Sequence, residues 1–199
     1  MSISAEQNEF VHKEPSEILK VLPLQPAAAI LCFGAESAAF VSPMAERVGH
    51  AGRIVLVEEP QSGFAENQIA TGAQEVVTVI SLSGGSDPSL PLDDRSMDWV
   101  FMIHSLHQFY FKGMLTSLFK EIRRIHKPDG KLIVIESEPP AQTGEPSVQL
   151  RIPSTQMNSI VYPNGYFLFE AMPLEHNMYL GFYKRQPHYN IPDDDDLGN

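Results

Sequence analysis

Two histidines, His104 and His107, follow an apolar run at residues 97–103 and stand three positions apart. Histidine titrates near neutrality, so a pair placed just beyond a strand is this chain's best source of a general base. A second reading stays open, in which one ring packs on a sheet edge and the other faces water. The same spacing suits two metal ligands, but no further Cys, His or Asp pattern joins them, so no metal is expected. Gly34 is another candidate. It ends the apolar run 28–33 and opens a turn through Ala35, Glu36 and Ser37. A glycine there lets the backbone approach a ligand closely, or simply makes the turn from strand to helix.

The elements that must position these groups are readable as alternating strands and helices. Glu14-Pro15-Ser16-Glu17 opens a short helix carrying Ile18, Leu19, Val21 and Leu22, which Pro23 and Pro26 stop. A strand at 28–33 precedes a helix at 37–48, with Phe40, Val41, Met44, Ala45 and Val48 on one face. A strand at 53–57, a weak helix at 63–70 and a β-branched strand at 75–80 follow. Residues 81–95 are rich in Ser, Gly, Pro and Asp and read as a loop. After the strand at 97–103, the span 113–125 holds the strongest helix pattern: Met114, Leu115, Leu118, Phe119, Ile122 and Ile125 form one stripe, with Lys120, Glu121, Arg123 and Arg124 outside it. Lys127-Pro128-Asp129-Gly130 reads as a turn into a strand at 131–135. A helix within 147–160 and two strands, at 166–171 and 178–184, complete the chain.

Strands apolar on both faces and separated by helices imply a doubly wound, mostly parallel Rossmann-like α/β sheet. In such sheets ligands bind beyond the carboxyl ends of the strands, near the point where strand order reverses. Residues 34–37, Glu58-Glu59, the 81–95 loop and residues 104–108 each follow a strand, so the topology gathers them on one edge.

The bulk properties narrow the partners. A 199-residue chain with 43% hydrophobic residues is enough for one substantial core. A net charge of −11 argues against nucleic acid and against anionic membrane surfaces, both of which attract basic faces. The single cysteine, Cys32, lies inside an apolar strand, reads as a core residue and excludes an internal disulfide. The polar, acidic first residues and the absence of a long apolar run point to the cytoplasm. Asp98, at the start of its strand, reads as part of the preceding turn.

The order of segments resembles the class I S-adenosylmethionine-dependent methyltransferase family. Ile30-Leu31-Cys32-Phe33-Gly34-Ala35-Glu36-Ser37-Ala38 lies where that family has a strand and a G-x-G-x-G turn; residues 48–55 are similar to its link into the second strand. Leu90-Pro91-Leu92-Asp93-Asp94-Arg95-Ser96-Met97-Asp98-Trp99-Val100 is similar to the lead into the fourth strand, and residues 104–109 to the segment after it. Residues 122–132 resemble the helix, turn and fifth strand, and Gly181-Phe182-Tyr183-Lys184 the last strand, one that closes the sheet antiparallel. The resemblance implies a methyltransferase-type fold at 27–185, preceded by a helix and lead-in at 1–26 and followed by an acidic, disordered tail at 186–199. It implies S-adenosylmethionine as cofactor over Gly34, Ala35, Glu36 and Ser37. Glu58 falls where the family grips the ribose, and Asp87 nearest the acid it uses for adenine.

The departures are specific. Glu36 and Ala38 replace the second and third glycines, and Cys32 stands at the usual acid. A carboxylate at position 36 either meets the ammonium or sulfonium of the cofactor or collides with its carboxylate. Two functions follow. One is a methyltransferase for a small-molecule acceptor, with His104 or His107 as base and a lid from 147–166. The other is a repurposed, inactive scaffold with a protein partner. The lack of G-x-G-x-x-G counts against a nicotinamide enzyme.

Overall fold

Short runs of aliphatic and β-branched residues build the centre of the molecule, because strands buried on both faces must be apolar throughout. The computed structural model describes residues 14–58, 75–83, 85, 87–139 and 151–187, with only the backbone of Glu58. The expected helix at 63–70 and all but the first two residues of the expected tail lie outside these. Seven strands form one sheet: β1 (Ala29–Phe33), β2 (Arg53–Glu58), β3 (Val77–Ser81), β4 (Met97–Ile103), β5 (His126–Ser137), β6 (Tyr166–Leu174) and β7 (Met178–Arg185). Their order is β3-β2-β1-β4-β5-β7-β6. β1 to β5 are parallel, and β7 runs antiparallel to both β5 and β6.

Helices cover both faces. On one side α1 (Pro15–Lys20) and α2 (Ala38–Val48) pack with Ile30, Cys32, Trp99, Phe101, Ile133 and Leu180. On the other, α3 (Leu106–Phe111), α4 (Leu115–Ile125) and α5 (Ser154–Val161) enclose Leu31, Phe33, Val100, Met102, Leu132 and Val134. The lead-in shares the α2-side core, through the buried Ile18, Leu19, Leu22 and Leu24. Cys32 is buried against Met44, 3.8 Å from its sulfur, and burial pushes its thiol pKa far up, as an inert core residue requires.

The structure departs from the sequence pattern at three places. The Lys127–Gly130 segment is a bulge within β5 rather than a turn before it: Met97 pairs with His126 and Trp99 with Lys131, so four residues of β5 face one of β4. The buried His126 ring pins this bulge, with Nδ1 2.8 Å from the Tyr166 hydroxyl, and Gly130 lies against it; a Cβ there would sit 2.2 Å from the ring. Arg123, expected outside its helix, is buried. Its guanidinium donates to the Gly165 carbonyl at 2.7 Å and the Gln186 carbonyl at 3.4 Å, tying the β6–β7 hairpin to α4. Six residues after β4 form the short helix α3, too brief for a periodic pattern to reveal.

Candidate functional site at the carboxyl ends of β1, β4 and β5

Strand order reverses between β1 and β4, because β2 and β3 extend the sheet one way while β4 and β5 extend it the other. At the end of β1 the chain passes through Gly34, whose φ of 98° and ψ of 140° suit glycine almost alone. A Cβ there would lie 2.0 Å from the Ile103 carbonyl oxygen and 3.2 Å from Ser105 Cβ. The close approach that Gly34 permits is therefore to the end of β4. A single 3-10 turn, Ala35–Ser37, leads into α2. Ser37 is buried and spends its hydroxyl on the Phe33 carbonyl at 2.8 Å, closing the turn.

Opposite this turn, His104 follows the last residue of β4 and holds a left-handed φ of 47°. Its backbone N–H donates to the Ile135 carbonyl at 2.9 Å, and its Nδ1 lies 3.5 Å from the Ser137 hydroxyl. Its Nε2 lies 3.5 Å from the Glu36 carboxylate, itself largely exposed. Ala35, Glu36, Phe40, Ile103 and His104, with Pro15 and Ile18 of α1, line a cavity of about 360 Å³. Next to His104, the Ser105 hydroxyl is fully buried and finds no hydrogen-bond partner among the described residues.

One α-helical step on, His107 behaves differently. Glu136, with a side chain 2% exposed in β5, accepts the His107 backbone N–H at 3.2 Å and stands 2.8 Å from Nδ1. Glu138 caps α5, both its oxygens receiving the Ser154 N–H at 3.2 Å. With Ser154, Met172, Leu174, Met178 and Tyr179 it lines a second cavity of about 730 Å³ on the same edge. Met178 belongs to the walls of both cavities. Tyr179 donates its hydroxyl to the Ile152 carbonyl at 2.6 Å; burial, then the nearby Glu136 and Glu138 carboxylates, raise its pKa.

Gly34, Ala35, Glu36, Ser37, His104 and His107 are thus gathered on one edge of the sheet. Glu58 ends β2 on that edge, its side chain outside the described set, and Asp87 is exposed in the loop after β3, near an isolated bridge between Ser83 and Ser89. Asp98 lies at the opposite end of β4, where it accepts the Ala29 N–H at 2.9 Å and pairs with Lys127 at 2.6 Å. No group of three or more metal-ligating side chains forms among the described residues. Nor does any described helix have the length and apolarity to cross a membrane.

The methyltransferase domain family matches residues 31–134, just over half the chain and the whole stretch from β1 into β5. The chain belongs to that family. A SAM-dependent methyltransferase from Aquifex aeolicus superposes with a TM-score of 0.74 over 86% of this chain and 89% of its own, at 16% identity. The mitomycin 7-O-methyltransferase gives a TM-score of 0.64 over 86% of this chain and 52% of its own, at 14% identity. The fold is that of the class I methyltransferases. In sequence the chain is similar to demethylmenaquinone methyltransferases of Bacillus cereus. One is 28% identical over 71% of this chain and 57% of its own length, another 26% identical over 92% and 68%. The chain thus spans little more than half to two thirds of these relatives.

Sequence reasoning passed over two groups at this edge. Glu136 follows four aliphatic residues of a central strand, and a carboxylate in that position signals a buried, partnered charge. Ser105 carries no such signal, since an isolated serine after a strand is ordinary.

Proposed function

We propose that this chain transfers the methyl group of S-adenosylmethionine to a small-molecule acceptor. The observation that carries the reading is the cavity lined by Ala35, Glu36 and His104: it lies against the ends of β1 and β4, where strand order reverses, is largely apolar, and has Glu36 as the carboxylate among its described lining residues. The residues fit the cofactor. About 360 Å³ lies within the range of small-molecule sites, and a carboxylate is the natural counterpart of an ammonium or sulfonium group. Ser105, whose buried hydroxyl has no partner among the described residues, gives the same edge a further polar group.

On this reading Ala35 and Glu36 hold the amino-acid end, Glu58 the ribose, and Asp87 is the nearest acid for the base. When bound, the cofactor supplies an electrophilic methyl on a sulfonium that leaves as a neutral thioether. The chain's own part is to hold the acceptor in line, exclude water and take up a proton where the acceptor carries one. The larger cavity, walled by Met172, Leu174, Met178 and Tyr179 together with Glu138, Glu175, His176 and Asn177, gives room for an acceptor beside the first. The relatives' name makes demethylmenaquinone the first acceptor to try. The test is transfer of tritiated methyl from S-adenosylmethionine to a panel of hydroxylated aromatics that includes demethylmenaquinol. Label appearing in an extractable small product supports the reading; label in none of them, with the cofactor bound, counts against a small acceptor of this class.

A further inference from the structure

The larger cavity, of about 730 Å³, has a mixed lining. Met172, Leu174, Met178 and Tyr179 supply apolar surface, and Glu138, Glu175 and His176 supply ionisable groups. No lysine or arginine is among its described lining residues. The hairpin between β6 and β7 brings these groups together, because its tip is fastened to the end of β5. The Glu138 N–H donates to the Asn177 carbonyl at 2.7 Å, and the Asn177 side-chain amide donates to the Glu138 carbonyl at 3.2 Å. Glu175 and His176 are thereby held at the same cavity as Glu138.

The shortage of cations extends well beyond the cavity. From Leu132 to Tyr183 the chain carries five carboxylates, Glu136, Glu138, Glu145, Glu170 and Glu175, and one lysine or arginine, Arg151. Arg151 donates to the Glu138 backbone carbonyl at 3.2 Å and is not among the lining residues. Other basic side chains stand where β5 begins and β7 ends, away from this edge. There Lys127 pairs with Asp98, Lys131 lies over the Trp99 ring and Lys184 over the Phe169 ring. Tyr179, which lines the cavity, registers the excess of negative charge: after burial, the Glu136 and Glu138 carboxylates raise its pKa.

We infer that this cavity selects its acceptor by charge, taking one whose polar group is a protonated amine and turning away one that bears a carboxylate. The inference rests on the methyltransferase reading above and narrows its acceptor to an apolar body with a basic nitrogen. An ammonium brought beside Glu138 and Glu175 gives up water and gains two opposite charges. A carboxylate in the same place gives up water and meets two like charges. Both oxygens of Glu138 already accept the Ser154 N–H at 3.2 Å, which leaves lone pairs on each for a further donor. Among the described lining residues, His176 is the one that can offset the carboxylates, and only when protonated. Glu138 and Glu175 act here as specificity residues, ranking acceptors beside the cofactor cavity, with which this one shares Met178.

The probes are three dihydroxynaphthalenes identical except at one ring position, which bears an aminomethyl, a hydroxymethyl or a carboxylate group. Each is titrated calorimetrically into the full chain saturated with S-adenosylhomocysteine, at about pH 8, where histidine is ordinarily neutral and an alkylamine protonated. The amine should bind at least about tenfold more tightly than the carboxylate, with the neutral probe between them, the scale of a charge contact at a partly exposed site. Raising salt from about 20 mM to about 500 mM should narrow that ratio by screening; a ratio indifferent to salt would trace the preference to shape and overturn the inference. Glu175→Gln keeps the shape and removes one charge, so it should cut the ratio at least about threefold. A smaller wild-type ratio than tenfold overturns the inference without any variant having to fold. An unchanged ratio in a folded E175Q chain overturns the assignment to this cavity, as does failure of all three probes to bind. S-adenosylhomocysteine is titrated first. Its failure to bind would count against the methyltransferase reading instead, and the probe ratio on the ligand-free chain would then stand or fall separately.

Discussion

Replacing Gly34 by alanine tests whether this glycine is demanded by the fold before any ligand arrives. The substitution meets two independent costs. The backbone at φ 98° and ψ 140° lies where residues with a Cβ rarely sit, which costs about 1–3 kcal/mol. The new methyl would also lie 2.0 Å from the Ile103 carbonyl oxygen. That oxygen belongs to the backbone at the end of β4 and cannot swing aside like a side chain. Forcing such an overlap apart costs a further 1–3 kcal/mol or so. Together the two give about 4 kcal/mol, a large share of the 5–15 kcal/mol that holds a typical domain. For a chain of this size that is a fall in Tm of roughly 8–16 °C. Urea and thermal unfolding of the ligand-free chain, followed by circular dichroism, give the value. A loss under about 1 kcal/mol would falsify the reasoning, because it would mean that β1 and β4 are not packed as tightly here as described.

Other consequences can be checked in the same way. Burial pulls the pKa of His126 down to about 3, aided by Arg185 and Lys131 and opposed by the Asp98 carbonyl. The unfolded chain binds that proton near pH 6.5, so stability should fall as pH drops from about 6.5 toward 3, by up to about 1.4 kcal/mol per unit. His126→Gln should flatten that part of a stability-against-pH curve, and an unchanged slope would contradict the assignment. Glu121 receives the Leu90 N–H at 2.7 Å and a two-point contact from Arg124. Glu121→Ala should cost about 1–2 kcal/mol in chemical denaturation and loosen the loop before β4 in hydrogen exchange; unchanged protection of the Leu90 amide would refute the second part. Ser105→Ala removes a buried hydroxyl that has no partner among the described residues, so the ligand-free chain should be unchanged or up to about 1 kcal/mol more stable; a clear loss would show that the hydroxyl is satisfied. Glu36→Ala should weaken S-adenosylmethionine at least tenfold, about 1.4 kcal/mol, in a binding titration. Tighter binding would instead mark the carboxylate as an obstacle.

Much of the architecture could be read from residue order because its signals are local. β1, β2 and β4 are apolar runs of strand length bounded by Gly, Pro or charge, and the stripe of Leu115, Leu118, Phe119, Ile122 and Ile125 repeats with the period of a helix. What escaped depends on contacts between distant segments. The Lys127–Gly130 sequence has the composition of a turn, but the buried contact between His126 and Tyr166, forty positions away, draws it into a strand. Arg123 reads as an outward charge on α4 until the Gly165 and Gln186 carbonyls are seen to close over it.

The candidate site divides along the same line. Gly34, Glu36 and His104 could be placed on one edge from topology alone, since each ends or follows a parallel strand. Which histidine meets a buried carboxylate could not, because that depends on Glu136 lying opposite His107 while His104 faces the exposed Glu36. The meaning of Gly34 also changed with the structure: position and residue type indicate a tight approach, and only the Ile103 carbonyl shows what is approached.

The central claim is that the edge at the reversal of strand order holds S-adenosylmethionine. Isothermal titration of the full chain with S-adenosylmethionine and with S-adenosylhomocysteine tests it most directly. The account predicts one site per chain with a micromolar dissociation constant for both ligands, weakened by Glu58→Ala. No heat of binding at millimolar ligand, from a chain whose unfolding shows it to be folded, would contradict it and leave a methyltransferase fold put to another use.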